Sequence, residues 1–211
     1  MVLIITAFGA SRLVKRLLRR YSAIKLGKKG EKRVAKILKR AFRKTPHYLF
    51  NHILIETDDH ITQIDHVLIS TKGIFVVETK NLKGWIFGSP QNQTWTQTIY
   101  GKKYKHYNPL KQNYKHIRIL ETALGVSRRK FHSVIVFTKN TKLKTAMPEN
   151  VMYTNKLRRY IRSFEHTEIG EEDVELVAAT LAEAKLENTR RNIRRHKRHV
   201  RSIKKRKRRW W

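Results

Sequence analysis

The chain has 211 residues with 40% hydrophobic content, enough to bury a real core, and carries 48 Lys/Arg against 16 Asp/Glu, a formal net charge of +32. A charge that far from balance excludes an ordinary near-neutral surface and predicts strong association with polyanions. Cysteine is absent, which excludes disulfides and Cys-based zinc sites and fits a reducing, cytoplasmic compartment.

In chain order, residues 1–21 come first, opening on the apolar run Met1 to Ala10 and continuing through Arg12, Lys15, Arg16, Arg19 and Arg20. A spanning helix needs about 20 apolar residues, and a secretory signal carries its positive charge ahead of the apolar run rather than after it. Leu13, Val14, Leu17 and Leu18 recur at helical spacing among the basic residues, so the segment reads as an amphipathic helix packed on the domain. Association with a membrane surface is its alternative. A helix follows over 31–44, with Glu31 at its head, where a negative side chain suits the helix dipole.

Strands are predicted over 48–56, 63–70, 74–80, 84–88 and 94–100 from β-branched and aromatic content between turn residues. In the last two, Trp85 and Trp95 read first as sheet-face filling rather than as base-stacking groups. Asn108 and Pro109 form an N-cap and first-turn pair for a helix over 109–124, and Gln112 lies off its apolar stripe. Residues 131–138 form a continuous apolar strand suited to a buried position, and 151–154 a short one. A last helix falls within 167–187, with Val174, Val177, Leu181 and Ala184 at helical spacing. The order predicts an α/β domain, a mixed sheet flanked by helices, over 22–165, then a C-terminal helix over 166–188 and a basic tail over 189–211.

The charge is concentrated in the flanks. Residues 12–44 hold 15 Lys/Arg against Glu31 alone, and the last 24 residues hold 13 with no acid, whereas 45–187 hold 20 Lys/Arg and 15 Asp/Glu. The tail is too self-repulsive to pack by itself, which predicts a mobile arm or a helix that orders on nucleic acid. Phosphate contacts made by such a segment are salt-dependent and indifferent to sequence. An anionic membrane surface is the competing partner, with Trp210 and Trp211 at headgroup level.

The chemistry-bearing feature is a hairpin. Gln63 to Ile69 and Ile74 to Lys80 are joined by Ser70-Thr71-Lys72-Gly73. With Thr71 and Lys72 at the tip, Asp65 falls opposite Glu78 at a Cβ separation of about 5 Å, and Lys80 shares the face of Glu78. A bulge at Gly73 would shift this register. Two carboxylates that close repel unless a cation lies between them, and hard oxygen ligands suit Mg²⁺ or Mn²⁺. A lysine beside them can orient a water and offset charge building on a phosphate.

Four motifs in order, Gly27-Lys28-Lys29-Gly30-Glu31, Gln63-Ile64-Asp65-His66, Gly73 to Asn81 with Gly84, and Asn108-Pro109 with Gln112, resemble the NERD (nuclease-related) domain over about residues 22–125. The resemblance implies a restriction-endonuclease-like fold of the PD-(D/E)xK superfamily. It implies that Asp65 and Glu78 bind the metal, that Lys80 assists catalysis, that Glu31 is the helix-borne acidic residue of the site, and that Gln112 orients substrate or a ligand. No proline precedes Asp65, a loose position across that superfamily. Two functions follow as expectations: a Mg²⁺- or Mn²⁺-dependent nuclease acting on DNA, or a nucleic-acid-binding or membrane-surface protein on an inactive nuclease scaffold.

Overall fold

A computed structural model describes residues 27–42, 45–57 and 60–208. The N-terminal segment, with its expected amphipathic helix, lies outside the described residues. Helix α1 covers 27–38, followed by turns to residue 42. Then come β1 (His47–Glu56), β2 (Ile61–Ser70), β3 (Gly73–Lys80), β4 (Gly84–Phe87), β5 (Thr94–Ile99), β6 (Lys102–Tyr107) and α2 (Pro109–Leu124). A 3₁₀ turn, β7 (Phe131–Phe137), β8 (Thr141–Leu143), β9 (Val151–Tyr153), α3 (Thr154–Arg162), α4 (Glu171–Ala184) and α5 (Arg190–Arg208) complete the chain.

The main sheet is mixed, in the order β1-β2-β3-β7-β9. β3 runs antiparallel to β2 and parallel to β7, and is buried along its length except at Lys80. Helices α2 and α4 cover one face, placing Ile117, Leu120, Val174 and Leu181 on Val67, Ile69, Ile74 and Val76. α1 and α3 cover the other, placing Val34, Leu38, Leu157 and Ile161 on Leu68, Phe75, Val77 and Val134. Each such fully buried side chain contributes roughly 1.5–3 kcal/mol. A sheet apolar on both faces therefore explains why β3 reads as an unbroken apolar run. The expected mixed sheet between helices is the architecture found.

A second sheet, β6-β5-β4-β8, leans on the edge of the first through Ile86 and Trp95, which pack on Ile135, Phe137 and Val151. Three of its features escape the sequence pattern. β6 (KKYKHY) is almost wholly solvent-facing and has no apolar alternation to announce it. The two-residue turn before it, Tyr100-Gly101, has φ of +48° and +75° and pairs Ile99 with Lys102, the primed geometry that matches strand twist. β8 is only three residues long. On the main sheet, α3 escapes the pattern too, carrying just Leu157 and Ile161 as buried apolar anchors among basic residues.

Several boundaries move. The helix expected over 31–44 is already helical at residue 27 and ends at 38. Gly30 sits within it because a Cβ there would come within 2.9 Å of the Asn81 side chain, so α1 approaches the β3–β4 connection closely. The helix expected over 167–187 contracts to Glu171–Ala184. The basic run is a helix, α5, laid against β2 and the corner that leads into it from β1: Arg195 pairs with Glu56, His196 Nδ1–H donates to the Ile61 carbonyl at 2.7 Å, and His199 stacks on His60 at 4.1 Å. Of the two alternatives read from the sequence, the helix forms, and it does so on the protein's own surface. Among the described residues no helix is long and apolar enough to cross a membrane.

Candidate active site

The hairpin closes as a two-residue turn, with Ser70 opposite Gly73 and pairing continuing to His66 opposite Val77. The register is thus unshifted by a bulge. Gly73, at φ +107°, leaves no room for a side chain, since a Cβ would meet His132 at 2.5 Å and the Lys130 carbonyl at 2.9 Å. One step past the last pair sets Asp65 level with Glu78, and there the strands separate. β3 continues beside β7 alone, and Asp65 enters the opening to accept the Thr79 N–H on Oδ2 at 2.9 Å.

β1 and β2 change face at the same step. Phe50, Ile53 and Ile55 all pack in one cluster, as do Ile64, Val67 and Ile69, although strict alternation would separate Phe50 from Ile53 and Ile64 from Val67. The pairing Asn51–His66 resumes at Ile53–Ile64, and between them stand His52 and Asp65. His52 adopts φ +53°, a left-handed conformation that is uncommon for a residue with a Cβ.

Glu78 is 4% exposed. Its Oε1 accepts from Lys80 Nζ at 2.6 Å and from Gln112 Nε2 at 2.9 Å, and Lys80 Nζ also donates to Gln112 Oε1 at 2.9 Å. Glu78, Lys80 and Gln112 therefore form a closed triangle. Glu78 Oε2 is buried without a hydrogen-bond donor, 3.7 Å from His116 Nδ1, which is likewise unsatisfied. Burial lowers the His116 pKa, so the imidazole is held neutral despite the nearby carboxylate. Burial first, and then the Glu78 charge, push Asp65 well above the usual carboxylate range, against the pull of the Thr79 N–H and of Lys80; Glu31 adds to the rise.

α2 is positioned over this cluster by Asn113, whose Nδ2 donates to the Val76 carbonyl at 2.8 Å and to Ser133 Oγ at 2.9 Å. Gln112 and His116, four residues apart, then share the helix face above Glu78. The helix start is fixed as its sequence predicts: Asn108 Oδ1 accepts the Leu110 N–H at 2.9 Å, while its Nδ2 reaches the carbonyls of Ser89, Pro90 and Asn92.

Of the five residues singled out in the sequence, Asp65, Glu78, Lys80 and Gln112 are gathered at one place. Glu31 is near enough to act on Asp65 electrostatically, but its carboxylate faces His52, with Oε2 3.4 Å from Nδ1. His52, Asn113 and His116 were not singled out. His116 could have been found, since it falls one helical turn after Gln112; nothing in the sequence marks His52.

Among the described residues no three His, Cys, Asp or Glu side chains form a ready metal cage. The donor set nonetheless fits a small hard cation. Mg²⁺ is commonly held by one or two carboxylates and completes its shell with water and substrate phosphate. A buried carboxylate oxygen with no donor beside a second carboxylate forced upward in pKa is the arrangement such an ion relieves.

The nuclease-related domain (NERD) family model matches residues 26–138. An uncharacterized protein of Bacillus anthracis is 34% identical over 165 residues, covering 76% of this chain and 77% of that protein. No solved structure matches the chain. The family match runs from α1 to the end of β7 and takes in Glu31, Asp65, Glu78, Lys80 and Gln112, on a mixed α/β architecture consistent with a restriction-endonuclease-like core; the chain belongs to the nuclease-related-domain family.

Proposed function

We propose that the protein is a metal-dependent nuclease that hydrolyses phosphodiester bonds of DNA, with Mg²⁺ or Mn²⁺ held by Asp65 and Glu78 and supported by Glu31. The observation that carries the reading is the donorless Glu78 Oε2 beside Asp65, with a lysine ammonium fixed at the same carboxylate. A bound divalent ion would supply Lewis-acid polarisation of the phosphate and of a water. The rest of the work falls to the chain. Gln112 and Glu78 hold Lys80 Nζ in one position and use two of its three donors, which leaves the third for a water or a phosphate oxygen. As the water oxygen bonds to phosphorus and the opposite P–O bond breaks, negative charge grows on the phosphate oxygens, and a fixed ammonium stabilises it without reorganising. The basic N-terminal segment and α5 hold the backbone through phosphates and impose no sequence preference.

The test is cleavage of plasmid and single-stranded DNA by purified protein with millimolar Mg²⁺ or Mn²⁺, stopped by EDTA. Glu78→Ala and Lys80→Ala should each lower the rate by about a thousandfold or more, a barrier change of about 4 kcal/mol. Mn²⁺ should also raise the melting temperature of wild type and leave that of Glu78→Ala nearly unmoved. Equal cleavage by wild type and Glu78→Ala would sink the proposal.

A further inference from the structure

The outer face of the second sheet carries a pattern that the site above does not use. Cross-strand pairing sets Trp85 opposite Thr98 and Thr98 opposite Lys103, and sets Phe87 opposite Thr96 and Thr96 opposite Lys105. Two parallel rows therefore run aromatic, threonine, lysine across β4, β5 and β6. The short threonines leave a trough between an aromatic ridge and a lysine ridge, a groove of about 480 Å³ lined by those six residues. It continues past Phe87, Thr96 and Lys105 toward the loop at Asn92 and Gln93.

The aromatics here are not core filling. Trp85 is 46% and Phe87 37% exposed, whereas Ile86 and Trp95, on the inner face of the same sheet, are 1% and 2% exposed. Trp85 already receives a cation, since Lys144 Nζ lies 4.5 Å from its ring centroid. The charge around the trough has one sign. Residues 79–120, which include β4, β5 and β6, contain eight Lys/Arg and no Asp or Glu, an asymmetry hidden by the near-balance of residues 45–187 as a whole. A ridge of exposed rings beside a ridge of ammonium groups is the arrangement by which sheets bind single-stranded nucleic acid: bases stack on the rings and phosphates meet the lysines. The Trp85 and Phe87 rings meet edge to face, with centroids 6.5 Å apart and planes inclined at 69°, so their open faces point in different directions and cannot both follow one regular base stack. They suit the splayed bases of an extended single strand.

We infer that the outer face of the second sheet, through Trp85, Phe87, Lys103 and Lys105, is a binding site for single-stranded nucleic acid. The choice of ligand rests on the nucleic-acid reading above, but binding here needs neither a metal nor cleavage. The ligand class is one that the fold's other basic surface does not select. α5 offers phosphate contacts with no exposed aromatic ridge among its described residues, so it holds duplex and single strand alike.

The experiment uses the full chain in EDTA with a fluorescein-labelled oligothymidylate of about 15 nucleotides, near the upper end of one sheet platform's site size, and a duplex of equal length. Trp85→Ala/Phe87→Ala should weaken oligothymidylate binding about tenfold or more and leave duplex binding and the melting temperature unchanged. Trp85→Phe/Phe87→Tyr, which keeps both rings, should retain oligothymidylate affinity. Lys103→Ala/Lys105→Ala should reduce the slope of log affinity against log salt by about 0.7 for each phosphate that a lysine no longer neutralises. Unchanged oligothymidylate affinity in Trp85→Ala/Phe87→Ala overturns the inference. So does an equal loss on both oligonucleotides, or a loss confined to anionic phosphatidylserine vesicles. Failure of wild type to cleave with Mg²⁺ or Mn²⁺ would instead count against the nuclease reading and leave the binding result standing.

Discussion

Asp65 is held in the folded protein at a cost. Its pKa is raised above that of the unfolded chain, so the folded state gains relative stability as pH falls through the raised value and loses it again as the carboxyl ionises on the way up. Asp65→Asn keeps an acceptor for the Thr79 N–H and removes the charge. At neutral pH it should therefore raise the melting temperature while abolishing cleavage. The gain over wild type should shrink as the pH is lowered; a variant less stable than wild type at neutral pH would contradict this account. His66 acts with the opposite sign. It is fully buried, with Nδ1 2.7 Å from Asn51 Oδ1, and burial lowers its pKa from 6.5 to about 3. The unfolded chain takes up a proton near pH 6.5 that the folded one refuses, so this contribution is whole above that pH and drains away between 6.5 and about 3. Chemical denaturation across that window should show a loss of a few kcal/mol in wild type that is absent in His66→Gln.

At the scale of elements, the site depends on where α2 rests on the sheet. Asn113 ties the helix to β3 through the Val76 carbonyl, a buried contact, and to β7 through the half-buried Ser133. Asn113→Ala leaves the buried Val76 carbonyl without this donor, which should cost about 1–3 kcal/mol. It should also let Gln112 and His116 drift from Glu78, and small misplacements of this kind are expensive in rate. Cleavage should fall well beyond what the loss of stability explains, with duplex binding retained. Full activity in a destabilised Asn113→Ala would show that α2 placement is not what orients Lys80. Gly30 does the same work for α1, since its missing Cβ lets the helix approach Asn81 and brings Glu31 toward Asp65.

For the whole molecule, charge and chemistry occupy separate parts. α5 is attached to the β1–β2 corner by an exposed Arg195–Glu56 pair at the end of β1, a hydrogen bond from His196 to the first residue of β2 and a stacked His60–His199 pair, interactions that contribute little stability in water. Deleting residues 188–211 should therefore lower the melting temperature only slightly. It should flatten the salt dependence of duplex binding, by about 0.9 in log–log slope for each phosphate that α5 had neutralised. Cleavage at low salt and high protein concentration should persist, because the cluster lies within residues 31–116. A truncated protein with unchanged DNA affinity that no longer binds anionic vesicles would assign the helix to membranes instead.

The hairpin was legible from the sequence because its evidence is local. A two-residue turn ending in Gly73 and two apolar runs set the register, and the register sets Asp65 level with Glu78 and Lys80 on the same side. The family motifs carried Glu31 and Gln112, and the N-cap at Asn108 followed from side-chain chemistry alone. What the sequence could not supply depends on packing between distant segments. The separation of β2 from β3 and the left-handed turn at His52 belong to the assembled sheet, and the rests of Asn113 on Val76 and of His116 on Glu78 arise only once α2 lies on it. Trp85 and Trp95 show the limit most plainly. Both read alike as sheet aromatics, yet one is sealed between two sheets and the other faces solvent among lysines, because a strand's face is chosen by what packs against it. The residue types and their spacing thus determined the chemistry available; which carboxylate oxygen is left without a donor, and which ring is left exposed, were decided by the packing of the two sheets and α2.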